Sequence, residues 1–143
     1  MKYLRNFLAV ILGFITGSTV NMALVTLGPK IVPLPAEIDL TDPARLAATI
    51  HLLEPRHFIF PFLAHALGTL AGSFVAYLLA ASHQALLARI VGALFLAGGI
   101  AASRMVPAPV WFTALDLAVA YLPMSWLGVW LARRFKREPV VTG

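Results

Sequence analysis

Residues 7–28 read FLAVILGFITGSTVNMALVTLG, a run without one charged side chain. A membrane span needs about 20 mostly apolar residues to cross roughly 30 Å of hydrocarbon. This run is long enough, and it stops at Pro29-Lys30. A secretory signal is the competing reading, but its apolar region would be only about 7–15 residues long and end at a small-residue cleavage site. The run is longer and no such site follows, so the expectation is a retained span.

Three more runs of this kind follow: residues 57–81, 88–106 and 110–132. Ser82 to Leu87 is a short link between the second and third, and Pro107-Ala108-Pro109 is a tight hairpin between the third and fourth. Composition agrees, with 60% of residues hydrophobic and 12% charged. A soluble domain is about half apolar and a quarter charged. The expected fold is all-α: a four-transmembrane-helix up-down bundle forming a single integral membrane domain over residues 1–143.

The segment 29–56 between the first two spans is too polar to cross. Pro33 and Pro35 keep its start extended, because proline restricts itself and its predecessor. Thr41-Asp42-Pro43 is a helix-start signal, a capping side chain followed by proline in the first turn. From Pro43 to Glu54, Leu46, Ile50 and Leu53 fall on one face. That spacing predicts a short amphipathic helix lying on the membrane or capping the bundle. Pro61 opens the second span with little cost, whereas Pro123 inside the fourth frees the carbonyl of Val119 and predicts a kink, flanked by Tyr121 and Ser125.

Basic residues set the orientation, because Lys and Arg collect on the cytoplasmic side. With both termini inside, that side carries Lys2, Arg5, Arg89, Arg133, Arg134, Lys136 and Arg137, against Lys30, Arg45, Arg56 and Arg104 opposite. The long loop then faces outward, as expected of a multi-pass protein with both termini cytoplasmic. The net charge of +5 hugs the span ends and leaves no basic face, which argues against nucleic acid. The chain has no cysteine, so thiol redox chemistry, thiolate metal sites and Cys nucleophiles are excluded.

Polar groups inside hydrocarbon are costly and each needs a reason. At 1.5 Å per residue, Asn21, His65 and Asp116 lie roughly 10, 12 and 9 Å below the outer ends of three different spans. Arg104 is about a turn above them. Gly13, Gly17 and Asn21 share one face; so do His65, Gly68, Gly72 and Ala76, and Gly92, Gly99 and Ser103. Small residues let membrane helices approach closely. These stripes predict that Asn21, His65, Arg104 and Asp116 line a ligand-binding pocket in the outer half of the bundle. An Asp116–Arg104 ion pair that only ties two spans together is the plainer alternative.

A second group is His51, Glu54 and His57, near the pocket mouth. Nitrogen and oxygen donors of this kind suit a divalent metal such as zinc, iron or manganese. The His-Glu-x-x-His signature is absent, as are Gly-x-Ser-x-Gly, a Walker loop and a dinucleotide fingerprint. No internal repeat suggests an inverted-repeat transporter.

Gly17 to Asn21-Met22, Pro33-x-Pro35, Glu54-Pro55-Arg56-His57-Phe58, His65-Ala66-Leu67-Gly68-Thr69 and Trp111 to Asp116 together resemble small four-span bacterial inner-membrane proteins. The resemblance implies the fold and the location and carries no activity. Three functions remain open. The first is a binder or conduit for a small solute, lipid or proton. The second is a membrane enzyme acting on a lipid-soluble substrate. The third is an assembly subunit or homo-oligomer joined through the glycine-rich faces.

Overall fold

The computed structural model describes residues 1–136; Arg137, counted above among the basic residues, lies outside them. Its long helices are α1 (Lys2–Ile31), α3 (Ile59–Leu79), α4 (Gln84–Met105) and the pair α5 (Val110–Val119) and α6 (Leu122–Phe135). Between α1 and α3 lies the short helix α2 (Pro43–Thr49). Four segments are long and apolar enough to cross a membrane: Lys2–Ile31, Pro55–Leu79, Gln84–Met105 and Val110–Phe135. The chain is an all-α, multi-pass membrane protein. The side bearing residues 32–58 is the loop end, and the side bearing Lys2 and Phe135 is the terminal end.

Helix α3 is the centre, packed against α1 on one side and α4 and α6 on the other. Glycine makes the α1–α3 contact. A Cβ added at Gly13 would stand 2.6 Å from the carbonyl oxygen of Gly72 and 2.8 Å from Cβ of Ala76. One added at Gly17 would lie 2.7 Å from the Phe95 ring. Backbones this close gain dispersion and dipole contacts that lipid cannot supply, which is how membrane helices associate. Gly92 is pressed against Ser125, and a Cβ at Gly128 would meet the carbonyl of Leu70 at 2.6 Å. The glycine stripes are therefore covered by the chain's own helices. Gly98 differs, with nothing within 4 Å. Outside, Phe7, Ile11, Ile15, Met22, Trp126 and Trp130 are exposed, as a lipid-facing surface requires.

The predicted α3 stripe divides in two. Gly68, Gly72 and Ala76 face α1. His65, Thr69 and Ser73, at i, i+4 and i+8, form a neighbouring row; His65 bonds to Asp116 of α5 and Ser73 to Ser125 of α6. The histidine is thus one helical row away from the glycines it was grouped with.

At the terminal end the last carbonyls of α3 have no partners within the helix. Arg5 Nε donates to the Leu79 carbonyl at 2.8 Å and Lys136 Nζ to that of Leu78 at 3.3 Å. Asn6 Oδ1 accepts from the backbone N–H groups of Ala81 and Ser82, while its Nδ2 donates to Ser82 Oγ.

Two boundaries differ from expectation. Helix α1 runs past Pro29 to Ile31, because a proline in the last turn forfeits only one bond and the helix is ending. The loop helix is shorter than Pro43–Glu54: α2 ends at Thr49 and a 3-10 turn, Ile50–Leu52, follows. Asp42 caps α2 by accepting from the N–H groups of Ala44 and Arg45. Asp39 accepts from the Thr41 hydroxyl at 2.6 Å and from its N–H, and these bonds, with Arg45, hold its carboxyl below the usual value. Leu46 is buried and Ile50 and Leu53 are half-buried, so the segment caps the bundle.

The fourth span is broken at Ala120-Tyr121, not merely kinked. The Ala120 N–H still bonds the Asp116 carbonyl, Tyr121 leaves the helical region (φ −113, ψ −80), and α6 restarts with Pro123 in its first turn.

Substitution at Gly13 or Gly17 tests the packing. Gly13→Leu should lower the unfolding free energy in detergent by about 1–3 kcal/mol, the usual cost of overpacking. Gly98→Leu, into open space, should leave it unchanged. Denaturant titration of the two variants checks this; equal effects would contradict the α1–α3 contact.

Candidate functional site

A cavity of about 380 Å³ lies at the loop end, between α1, α3, α4 and α5 and under the loop. Small-molecule sites span about 300–1,000 Å³ and are mostly apolar with few polar groups. Here Leu34, Leu40, Leu46, Ile50 and Leu53 come from the loop, Phe60 from α3 and Phe112 from α5. The polar side chains are His57, His65, Ser103, Thr113 and Asp116, and no lysine or arginine among the described residues lines the cavity. Edge-on and tilted contacts among the rings of Phe58, Trp111 and Phe112 fasten the loop to α5, with Phe58 and Phe112 centroids 4.8 Å apart.

The floor is a bonded trio. His65 Nδ1 lies 2.9 Å from both carboxylate oxygens of Asp116. A carboxylate only accepts, so Nδ1 carries the hydrogen, and in the neutral imidazole Nε2 then presents a lone pair. Tyr121 donates its hydroxyl to Asp116 Oδ2 at 3.0 Å, and its ring stacks on that of His65 at 5.7 Å. The Asp116 side chain keeps 8% of its exposure and that of His65 keeps 25%, so the imidazole is the part open to the cavity. Among the described residues, no protein group bonds Nε2.

Each element places its member for a physical reason. Thr69 returns its hydroxyl to the His65 carbonyl at 2.8 Å, closing the turn below the histidine. Asp116 and Tyr121 are five apart, about 140° around an unbroken helix, and would not face one another. The break at Ala120-Tyr121 turns the phenol back. Gly99 makes room for it, since a Cβ there would collide with the Tyr121 ring and hydroxyl. Beneath the trio, Val91, Phe95, Ala120 and Tyr121 belong to the buried core, so the cavity is closed toward the terminal end. A separate buried pair lies deeper, where Ser73 Oγ donates to Ser125 Oγ at 2.9 Å.

Of the four residues expected to share a pocket, the structure brings together His65 and Asp116. Arg104 is exposed and does not line the cavity. It sits about 140° around α4 from Gly99, which does. The alternative Asp116–Arg104 pair is not formed, because His65 and Tyr121 occupy the carboxylate. Asn21 packs against Gly68 and does not reach the cavity wall; its Oδ1 is buried without a hydrogen-bond partner among the described residues.

The second group also separates. His51 and Glu54 are exposed, and Glu54 pairs with Arg56 at 3.1 Å. His57 is buried, and its Nδ1 accepts the Glu54 backbone N–H at 2.9 Å. Nδ1 also lies 3.2 Å from the Glu54 carbonyl, but a backbone N–H can only donate, so Nδ1 is the acceptor and Nε2 bears the hydrogen. Among the described residues no three His, Asp or Glu side chains are grouped to hold a metal. The helical turn that spaces His51 from Glu54 is lost to the 3-10 segment, and Pro55 swings His57 into the bundle.

Sequence reasoning missed Tyr121 as a partner of Asp116. The available signal was a phenol deep in an apolar span beside a proline, a pattern that by itself predicts only a kink. Tyr121→Phe should cost about 1.5–3 kcal/mol of stability, the usual worth of a hydrogen bond to a charged group. A double-mutant cycle with Asp116→Asn in reversible micellar unfolding should show coupling; strictly additive losses would mean the bond does not form.

In comparisons with known proteins, no family model, no curated protein and no solved structure matches the chain.

Proposed function

We propose that the protein binds a small, largely apolar molecule in the loop-end cavity, with the molecule's polar end received by His65. One observation carries this reading: Asp116 fixes the imidazole so that its Nε2 lone pair is the free polar group on the floor of an apolar chamber. A buried carboxylate and imidazole are expensive in a membrane unless they serve a site. The closed floor favours binding over passage of a solute or proton, because the core below is packed with Val91, Phe95 and Ala120. The excess of Lys and Arg at the terminal end supports an outward-facing cavity in a bacterial inner membrane.

A second reading rests on the same pair. An imidazole held through Nδ1 by a carboxylate, with Nε2 free, has the arrangement of a general base, which suits a membrane enzyme acting on a lipid-soluble substrate.

Native mass spectrometry of the full chain, released from membranes in mild detergent, tests the proposal. The wild type should retain an apolar molecule, and His65→Leu should lower its occupancy at least ten-fold at equal yield. Equal retention by both proteins would sink the proposal. Time-dependent conversion of the retained molecule into a new mass would move the assignment to the enzyme.

A further inference from the structure

The two histidines of the cavity are fixed in opposite tautomers. At the floor, His65 gives its Nδ1 hydrogen to Asp116 and presents an acceptor. Nearer the loop, His57 takes the Glu54 N–H on Nδ1 and presents an Nε2–H donor. Both line the same cavity, and among the described residues neither Nε2 has a protein partner. Neither is a buried atom left without a partner, so both reach open space. They are eight residues apart on the continuous run formed by the 3-10 turn Pro55–Phe58 and α3, roughly 12 Å along the axis. Between them the wall is apolar, with Phe60, Pro61 and Phe112.

Charge narrows the choice further. Beside a neutral His65, the Asp116 carboxylate places a formal negative charge at the floor, and no lysine or arginine among the described residues lines the cavity to offset it. An anionic head brought to that floor would meet like charge in a low dielectric. Fatty-acid carboxylates and phosphates are poor fits for this reason.

We infer that the ligand is an uncharged, elongated apolar molecule with a hydroxyl at its deep end and a hydrogen-bond acceptor, such as an ester carbonyl, at its shallow end. The hydroxyl donates to His65 Nε2. The acceptor takes the His57 Nε2–H. This rests on the binding function proposed above and adds the polarity and order of the two contacts. His57 selects the ligand and His65 anchors it.

The test uses the full chain in nanodiscs and three probes: methyl ω-hydroxydecanoate, decanol and decanoate. Bound probe is measured by gas chromatography against empty nanodiscs. The hydroxy ester should bind the wild type at least ten-fold more tightly than decanol, and decanoate should not exceed the empty discs. His57→Phe should reduce the hydroxy ester to the level of decanol, with helix content by circular dichroism reporting that the variant is folded. His57→Gln, which restores a donor, should recover part of the difference. Decanoate binding best would overturn the charge argument, and hydroxy-ester binding indifferent to His57→Phe would overturn the donor assignment. Flat ranking of the probes by a protein that still retains its apolar molecule in a His65-dependent way would overturn this inference alone. Loss of that retention would overturn the binding function as well.

Discussion

Hydrocarbon offers no hydrogen-bond partner, so a carboxylate placed within it must be satisfied by the protein itself. Asp116 is satisfied by an imidazole at 2.9 Å and a phenol at 3.0 Å. Much of the loop-end architecture follows from that requirement. The phenol reaches the carboxylate because the fourth span is broken at Ala120-Tyr121, and it fits because α4 carries glycine at position 99. The imidazole reaches it because α3 turns the row of His65, Thr69 and Ser73 toward α5 and α6 and its glycines toward α1.

The helices are close for a different reason. Lipid tails are as apolar as leucine, so burying apolar surface gives no net drive between helices. Gly13 against Gly72 and Gly17 against Gly68 instead let two backbones touch. This close approach belongs to the lower part of α1. Higher up, Val25 and Gly28 border the cavity, so one helix serves both as a packed partner and as a wall.

The polar network and the packed core divide the bundle into two halves. Toward the loop end there is open volume, two oriented imidazoles and a capping loop. Toward the terminal end there is close packing, with the Ser73–Ser125 pair buried inside and Asn6, Arg5 and Lys136 closing the end of α3. The cavity is therefore a pocket with one closed end, a shape suited to holding a molecule.

The sequence by itself determined the four crossings, the capped helix after Asp42, and the identity of Asn21, His65, Arg104 and Asp116 as the costly polar groups of the spans. These rest on run length, local capping chemistry and the energy of polar groups in hydrocarbon, all of which are local quantities. Only the tertiary structure decided partners. It gave Asp116 to His65 and Tyr121 and left Arg104 outside, because azimuth near a helix end cannot be fixed without knowing which neighbour lies there. It also turned His57 into the cavity with its ring on the Glu54 backbone, not grouped with the His51 and Glu54 side chains as ligands, because one proline and one 3-10 turn re-aim a side chain in ways that spacing along a regular helix does not register.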